Sequence, residues 1–470
     1  MIPALRADER RQVLVGAGLG LYAAAFAAAP GLTAKALLAA PLIGIPLFWF
    51  LIRTPAAWLS LFFVCALLTP PLPITLGDTG PHAALLFAAA GVFVGLLRLR
   101  EWRFRPDALQ ISMVALWAIF AASVAFAAIY SGWTIAAGSL ARVLLFGISI
   151  YVFLYSRDGP RLMESRRAFG MLQLLFIAAT LSALFACVDF YFQLPAPAGY
   201  EAQFVWLESG VFRRAQGVFY EASTLGNLCA FFLEMIAVAL LRPKDAQPFS
   251  RLTLATGGAA LTAALVLSYS RASIVNFAVA ACVLLWLNRK QIRWGRLLAS
   301  VVFFAAGASA ILLYAFPIFV GAAWLRVSAA FQYFSESPNM VLSGRLSSWR
   351  MLIDFLLSHP WHALLGVGYK TLPYSDFIGT KAIGDNTYLT LLAETGIAGL
   401  LGVLALNAAI LVTAYRAARS SDSLRSFCGA WMLCFWSGQA VQMFSADLLT
   451  YWRILPVYFF VLALAARREA

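Results

Sequence analysis

Charge is scarce in this chain. Asp, Glu, Lys and Arg together make up 12% of its 470 residues, against about 25% in a typical soluble domain. Histidine occurs three times, and no CxxC pair is found among the six cysteines. Each shortage excludes something. So little charge beside a hydrophobic share of 62% excludes a soluble enzyme and a disordered tail protein. Cys65, Cys187, Cys229, Cys282, Cys428 and Cys434 all fall in or at the ends of apolar runs. They read as small core residues, so neither a disulfide framework nor a zinc site is indicated. His82, His359 and His362 are too scattered to make a metal centre.

What fills the chain is long apolar runs, near 13–29, 36–52, 56–70, 83–97, 108–129, 134–155, 168–190, 218–241, 252–269, 272–287, 297–320, 387–412, 425–445 and 452–466. A spanning helix needs about 20 apolar residues. The reading is an all-α, polytopic integral membrane protein with about 12–14 transmembrane helices. The short pair within 36–70 reads as two spans or one re-entrant unit. No cleavable signal is visible, and the first run reads as a signal anchor.

The net charge of +14 would suggest nucleic acid as partner in a soluble protein. In a membrane protein it records Lys and Arg held in cytoplasmic loops. The positions decide. With the start placed inside, the even-numbered connections and both ends carry 24 of the 35 basic residues, so both termini are expected in the cytoplasm and no nucleic acid is called for. The other 11 include Arg142, Arg213, Arg214, Arg271, Arg345, Lys370 and Arg453.

Two outside segments are long, about 191–217 and about 321–386. In the second, residues 343–359 predict one amphipathic helix, with Ser343 as N-cap and Pro360 as its stop. Gly366-Val-Gly368 reads as a turn.

Polar groups at or within spans are costly, and invite a functional reading. Arg213 and Arg214, just before a span, read either as snorkelling side chains or as an anion clamp, for which the guanidinium fork suits phosphate oxygens. Arg271 lies in Ser268-Tyr-Ser-Arg-Ala-Ser273, a hydroxyl-rich turn with almost no loop, and is the stronger anion-site candidate. Arg142 falls mid-span and either pairs with a buried acid such as Glu234 or lines a polar cavity. Asp385 precedes a span; spacing alone favours helix capping over a general base.

The stretch from Ser343 to Leu401 resembles the signature region of the O-antigen ligase and Wzy-type polymerase superfamily. The resemblance is carried by Arg345 with Trp349, His359-Pro360, Gly366-Val-Gly368, Asp385-Asn-Thr-Tyr-Leu389 and Glu394-Thr-Gly396. Asp385, Asn386, Gly396 and Gly399 match the ligase spacing. Upstream, Arg214-Ala-Gln-Gly217 and Ser270-Arg271 are similar to the family's Arg-x-x-Gly and Ser-Arg elements. The region covers about 205–455, with N-terminal helices over 1–204 and the last helix end and cytoplasmic tail over 456–470.

This resemblance implies a metal-independent, inverting glycosyl transfer at the periplasmic face of a bacterial inner membrane, with no cofactor. The implied donor is a glycan on undecaprenyl pyrophosphate. The implied acceptor is a sugar hydroxyl, on lipid A–core for a ligase or on another lipid-linked glycan for a polymerase. Arg214, Arg271 and Arg213 would hold the pyrophosphate. Asp385 would activate the acceptor, with Arg345 assisting. Two departures stand out. Asp385 replaces the usual histidine, which leaves His359 or His362 as alternative bases, and Glu221-Ala222 replaces a frequent Pro-Asn. Two other readings stay open: a flippase for lipid-linked oligosaccharide, and an inactive member of a polysaccharide assembly complex.

Overall fold

The computed structural model describes residues 7–54, 56–72, 81–159, 165–195, 203–207, 210–242, 247, 249–290, 328, 332, 339, 344–375, 377 and 384–467. Among them lie fifteen α-helices. They are α1 (Ala7–Ala28), α2 (Gly31–Arg53), α3 (Ala57–Leu68), α4 (Ala83–Leu97), α5 (Ala108–Ser131), α6 (Trp133–Asp158), α7 (Ser165–Phe192), α8 (Ala222–Leu240), α9 (Arg251–Leu267), α10 (Arg271–Leu287), α11 (Arg345–Ser358), α12 (Pro360–Leu365), α13 (Thr387–Ala418), α14 (Ser423–Gln442) and α15 (Leu455–Ala465). Five of them, α5, α6, α7, α8 and α13, are long and apolar enough to cross a membrane. The chain is an all-α polytopic membrane protein.

Thirteen of the fourteen apolar runs coincide with a helix; the run near 297–320 lies outside the described residues. The segment 36–70 forms two helices, α2 and α3, parted at Thr54. Helix starts follow their capping residues. Asp107 accepts from the Gln110 amide, Ser250 from Thr253 and Asp422 from Arg425, each satisfying a donor the first turn leaves open. Ser343 lies outside the described residues, and the N-cap of α11 is Gly344, left-handed at φ 80 and without a side-chain bond. Pro360 ends α11 as expected and opens α12.

The segment 191–217 contains a feature the all-α reading lacked. Phe204–Leu207 (β1) and Gly210–Arg213 (β2) pair as a small antiparallel hairpin, with Phe204 opposite Arg213 and Leu207 opposite Gly210.

Helices α8, α14 and α15 sit at the centre, and every residue of α15 is buried. The Phe231 ring lies tilted against those of Trp431 and Tyr458, with centroids 4.2 Å and 4.4 Å away. A buried amide network ties these helices to α10. Asn227 and Asn276 each donate to Gln439 at 2.9 Å and to Gln442 at 2.8 Å, and the Tyr458 hydroxyl donates to Asn227 at 2.5 Å. Such bonds hold helices together where lipid supplies no hydrophobic drive. Outer faces remain apolar, with Ile111, Ile129, Trp133 and Leu144 uncovered.

One irregularity positions the site. Helix α13 breaks at Gly396, which has φ 68 and ψ −167. Carbonyls before a break lose their helical donors and need others. Here Ala393 O accepts from the Val367 amide at 3.1 Å and Glu394 O from the Gly368 amide at 2.8 Å. The Gly366-Val-Gly368 turn thus plugs the break in α13. The fit is tight: a Cβ at Gly366 would lie 2.3 Å from Glu394 O, and one at Gly396 2.2 Å from Leu364 O. Glycine is also required by conformation, with φ 79 at Gly366 and 116 at Gly368.

Candidate functional site

Arg213 and Arg214 are neighbours with different fates. Arg213 is buried, and its guanidinium donates to Asp189 Oδ1 and to Leu194 O, both at 2.6 Å. Its amide donates to Gln193 Oε1 at 2.7 Å. These bonds tie the hairpin to the end of α7 through the Arg213 amide and Nη2. Arg213 therefore anchors the hairpin to α7.

Arg214 points to another element. Its Nε donates to Ser268 O at 2.7 Å, and the next amide, Ala215, donates to Leu267 O at 3.0 Å. Both acceptors are carbonyls at the C-terminus of α9, which the helix leaves open. Only Ser268, Tyr269 and Ser270 separate α9 from α10. Tyr269 takes φ 50, and Ser270 caps α10 by accepting from the Ser273 amide. Arg271, the first residue of α10, is exposed. Arg214 is thus fastened to the turn that bears Arg271, beside a helix N-terminus, where partial positive charge gathers. Helix α8 packs on the same turn. A Cβ on its Gly226 would stand 2.9 Å from both the Ser268 and Ser273 hydroxyls.

Across the site, Arg345 opens α11 and Asp385 precedes α13. Arg345 Nε donates to Asp385 Oδ2 at 3.1 Å. Capping of α13 falls to the next residue, Asn386, whose Oδ1 accepts from the Leu389 amide at 3.1 Å. That corrects the capping role read for Asp385. The two histidines are elsewhere. His359 is the C-cap of α11, a 14-residue helix, which at about 1.5 Å per residue sets it roughly 20 Å from Arg345. His362 stacks 5.5 Å from Phe355 and meets Tyr130 edge-on at 5.1 Å. Neither belongs to the Arg345–Asp385 centre. His82 is buried and caps α4.

Arg142 lies within α6. It lies over the Tyr374 ring at 4.2 Å and acts on Glu394 and Lys370, while Glu234 faces Cys434 instead.

Several residues that sequence reasoning passed over complete the site. Lys370 follows the plug turn, in left-handed conformation at φ 58. It pairs with Asp447, and the Glu394, Glu221 and Asp385 carboxylates also act on it. Burial nonetheless pushes its ammonium below the usual range. The Glu394 carboxylate closes no hydrogen bond of full geometry; the Lys370 and Leu372 amides and the Lys370 ammonium face it. Tyr451, between α14 and α15, is buried. Its hydroxyl meets Ser223 and lies within the field of Glu221, Asp385 and Arg345. Burial, with the two acids adding to it, raises the phenol so that it stays a neutral O–H donor. Tyr451 joins the two halves of the site, since Glu221 begins α8, which abuts the Arg271 turn. A lysine just after a Gly-x-Gly turn was the only signal available; for Tyr451 there was none.

Arg453 acts as a brace. It is buried and donates to Ala66 O at 2.8 Å, Thr69 O at 2.7 Å and Val218 O. It binds the end of α3 to the segment before α8.

No curated protein matches the chain. Residues 256–404 do match the family model of the O-antigen ligases. The matched stretch includes the Arg271 turn, Arg345, the plug turn, Asp385 and the α13 break; Arg214, Glu221 and Tyr451 lie outside it. Residues 256–404 of this membrane protein are thus similar to the O-antigen ligases.

Proposed function

We propose that the protein transfers a glycan from undecaprenyl pyrophosphate to a sugar hydroxyl, at the periplasmic face of a bacterial inner membrane. Both termini lie in the cytoplasm, as the basic loops favour. The observation that carries this reading is the Arg345–Asp385 ion pair, at 3.1 Å, at the start of a membrane helix in a chain with an O-antigen ligase domain.

The chemistry divides between the two sides of the site. Arg214 and Arg271 hold the donor pyrophosphate and stabilise the charge that grows on it as the sugar leaves. Asp385 accepts the proton of the attacking acceptor hydroxyl. Arg345 orients that carboxylate through Nε. The sugar–pyrophosphate bond breaks as the new glycosidic bond forms, with inversion and without a metal ion.

The test is incubation of purified protein with undecaprenyl-pyrophosphate-linked glycan, with and without lipid A–core. Transfer that needs lipid A–core identifies a ligase, and chain growth without it a polymerase. Arg271→Ala should lower transfer about 10²- to 10³-fold, the effect of removing one transition-state donor, with unchanged thermal unfolding. Full activity in Arg271→Ala would sink the assignment.

A further inference from the structure

Two acids stand where the family resemblance led us to expect other residues, Asp385 and Glu221, and both face the same buried phenol. Glu221 occupies the N-cap of α8, with extended backbone at φ −129 and ψ 147. An acid there normally accepts an amide of the first turn. Glu221 makes no such bond. Instead the Ser223 hydroxyl donates to Glu221 Oε2 at 2.6 Å, which holds the carboxylate away from the capping position. The same Ser223 hydroxyl meets Tyr451. Tyr451 and Lys370 each lie within the field of both Glu221 and Asp385. The starts of α8 and α13 therefore bring both carboxylates into the surroundings of the Tyr451 hydroxyl, which Ser223 links to Glu221. Glu221 and Asp385 are both partly exposed, so a ligand can reach them.

This charge pattern sorts ligands by chemistry. The cations here are already paired with acids, Arg345 with Asp385 and Lys370 with Asp447, so a pyrophosphate belongs with Arg214 and Arg271. A sugar is suited to the two carboxylates: its neighbouring hydroxyls donate to the carboxylate oxygens and to the Tyr451 oxygen, whose own O–H is given to Ser223. We propose that Glu221, with Tyr451, binds a second hydroxyl of the acceptor sugar, beside the one that Asp385 activates. Glu221 is then a specificity-determining residue for a polyhydroxylated acceptor. The inference rests on the transferase reading above.

The test is steady-state kinetics with undecaprenyl-pyrophosphate-linked glycan as donor and, as acceptor, whichever of lipid A–core or a second lipid-linked glycan supports transfer by the wild-type protein. Glu221→Gln should raise the acceptor KM about tenfold to a hundredfold, the range for losing a charge-assisted hydrogen bond. The donor KM and kcat at saturating acceptor should stay within about threefold. Glu221→Asp should recover part of the acceptor affinity, which a loss of folding would not allow. An unchanged acceptor KM in Glu221→Gln overturns the inference, as does a rise in donor KM. A fall in kcat alone assigns Glu221 to proton transfer and also overturns it. If the wild-type protein transfers to neither acceptor, the transferase reading fails and this inference falls with it.

Discussion

The plug at the α13 break and the Arg345–Asp385 pair lie close together in the chain, and do opposite kinds of work. In the plug, Gly366, Gly368 and Gly396 spend their special conformations on backbone contacts that leave no room for a Cβ. The ion pair is loosely held: the side chains of Arg345 and Asp385 are 28% and 42% exposed. A pair that wet contributes only about 0–1 kcal/mol to stability. Family signature residues are thus of two kinds, those that build the frame and those that face the reaction space. The sharpest way to break this division is to strike each side. Gly396→Val should cost more than about 4 kcal/mol, or prevent folding, through backbone strain and overlap with Leu364 O. Asp385→Asn should leave the thermal unfolding midpoint within a few degrees and abolish transfer. A Gly396→Val protein that unfolds like the wild type would erase the distinction.

Arg213 and Arg214 test the same division at adjacent positions. Arg213 is anchored to Asp189, whose side chain is 4% exposed. Removing one partner of a buried pair leaves a stranded charge, so Arg213→Ala should lose about 3–5 kcal/mol of stability. Arg214→Ala removes a bond to a helix-end carbonyl, worth about 1 kcal/mol, yet should cost donor binding. Unfolding in detergent and transfer rate, measured on both variants, should rank them in opposite orders. Equal ranking would mean that both arginines serve the frame.

The apolar runs already marked most of the helices, because a lipid-facing helix must be apolar along its length and needs no partner to be recognised. The hairpin at 204–213 was not legible, since its four-residue strands are too short to show a period-two pattern. Among the candidate site residues, Arg345 and Asp385 could be picked as a set, but the bond between them could not. The capping error at Asp385 came from a one-residue ambiguity: Asp385 and Asn386 are both good caps, and only the chain path decides which is used. Arg213 and Arg214 were indistinguishable for a similar reason, as successive residues leaving a strand face opposite ways. Tyr451 and Lys370 reach the site through tertiary packing; Lys370 has only its place after a Gly-x-Gly turn as a local signal, and Tyr451 has none.

His82 belongs to the frame, and offers its gentlest test. Its Nδ1 accepts from the Ala84 amide at 3.1 Å, while Nε2 lies 3.0 Å from Thr69 O. That arrangement fixes a neutral imidazole with the proton on Nε2. A second proton would have to sit on Nδ1, where it faces an N–H and destroys the cap. Burial, with the Arg453 charge beside it, lowers the imidazole from 6.5 to about 4. The sign follows from linkage: the unfolded chain takes up the proton first, so stability is present above pH 6.5 and is lost as pH falls toward about 4. The loss at this one residue should reach at most about 3 kcal/mol. His82→Gln keeps an acceptor and a donor without a titration, and should flatten that part of the unfolding-against-pH curve. Wild-type and His82→Gln curves that ran parallel between about pH 7 and about pH 4 would remove His82 from the frame.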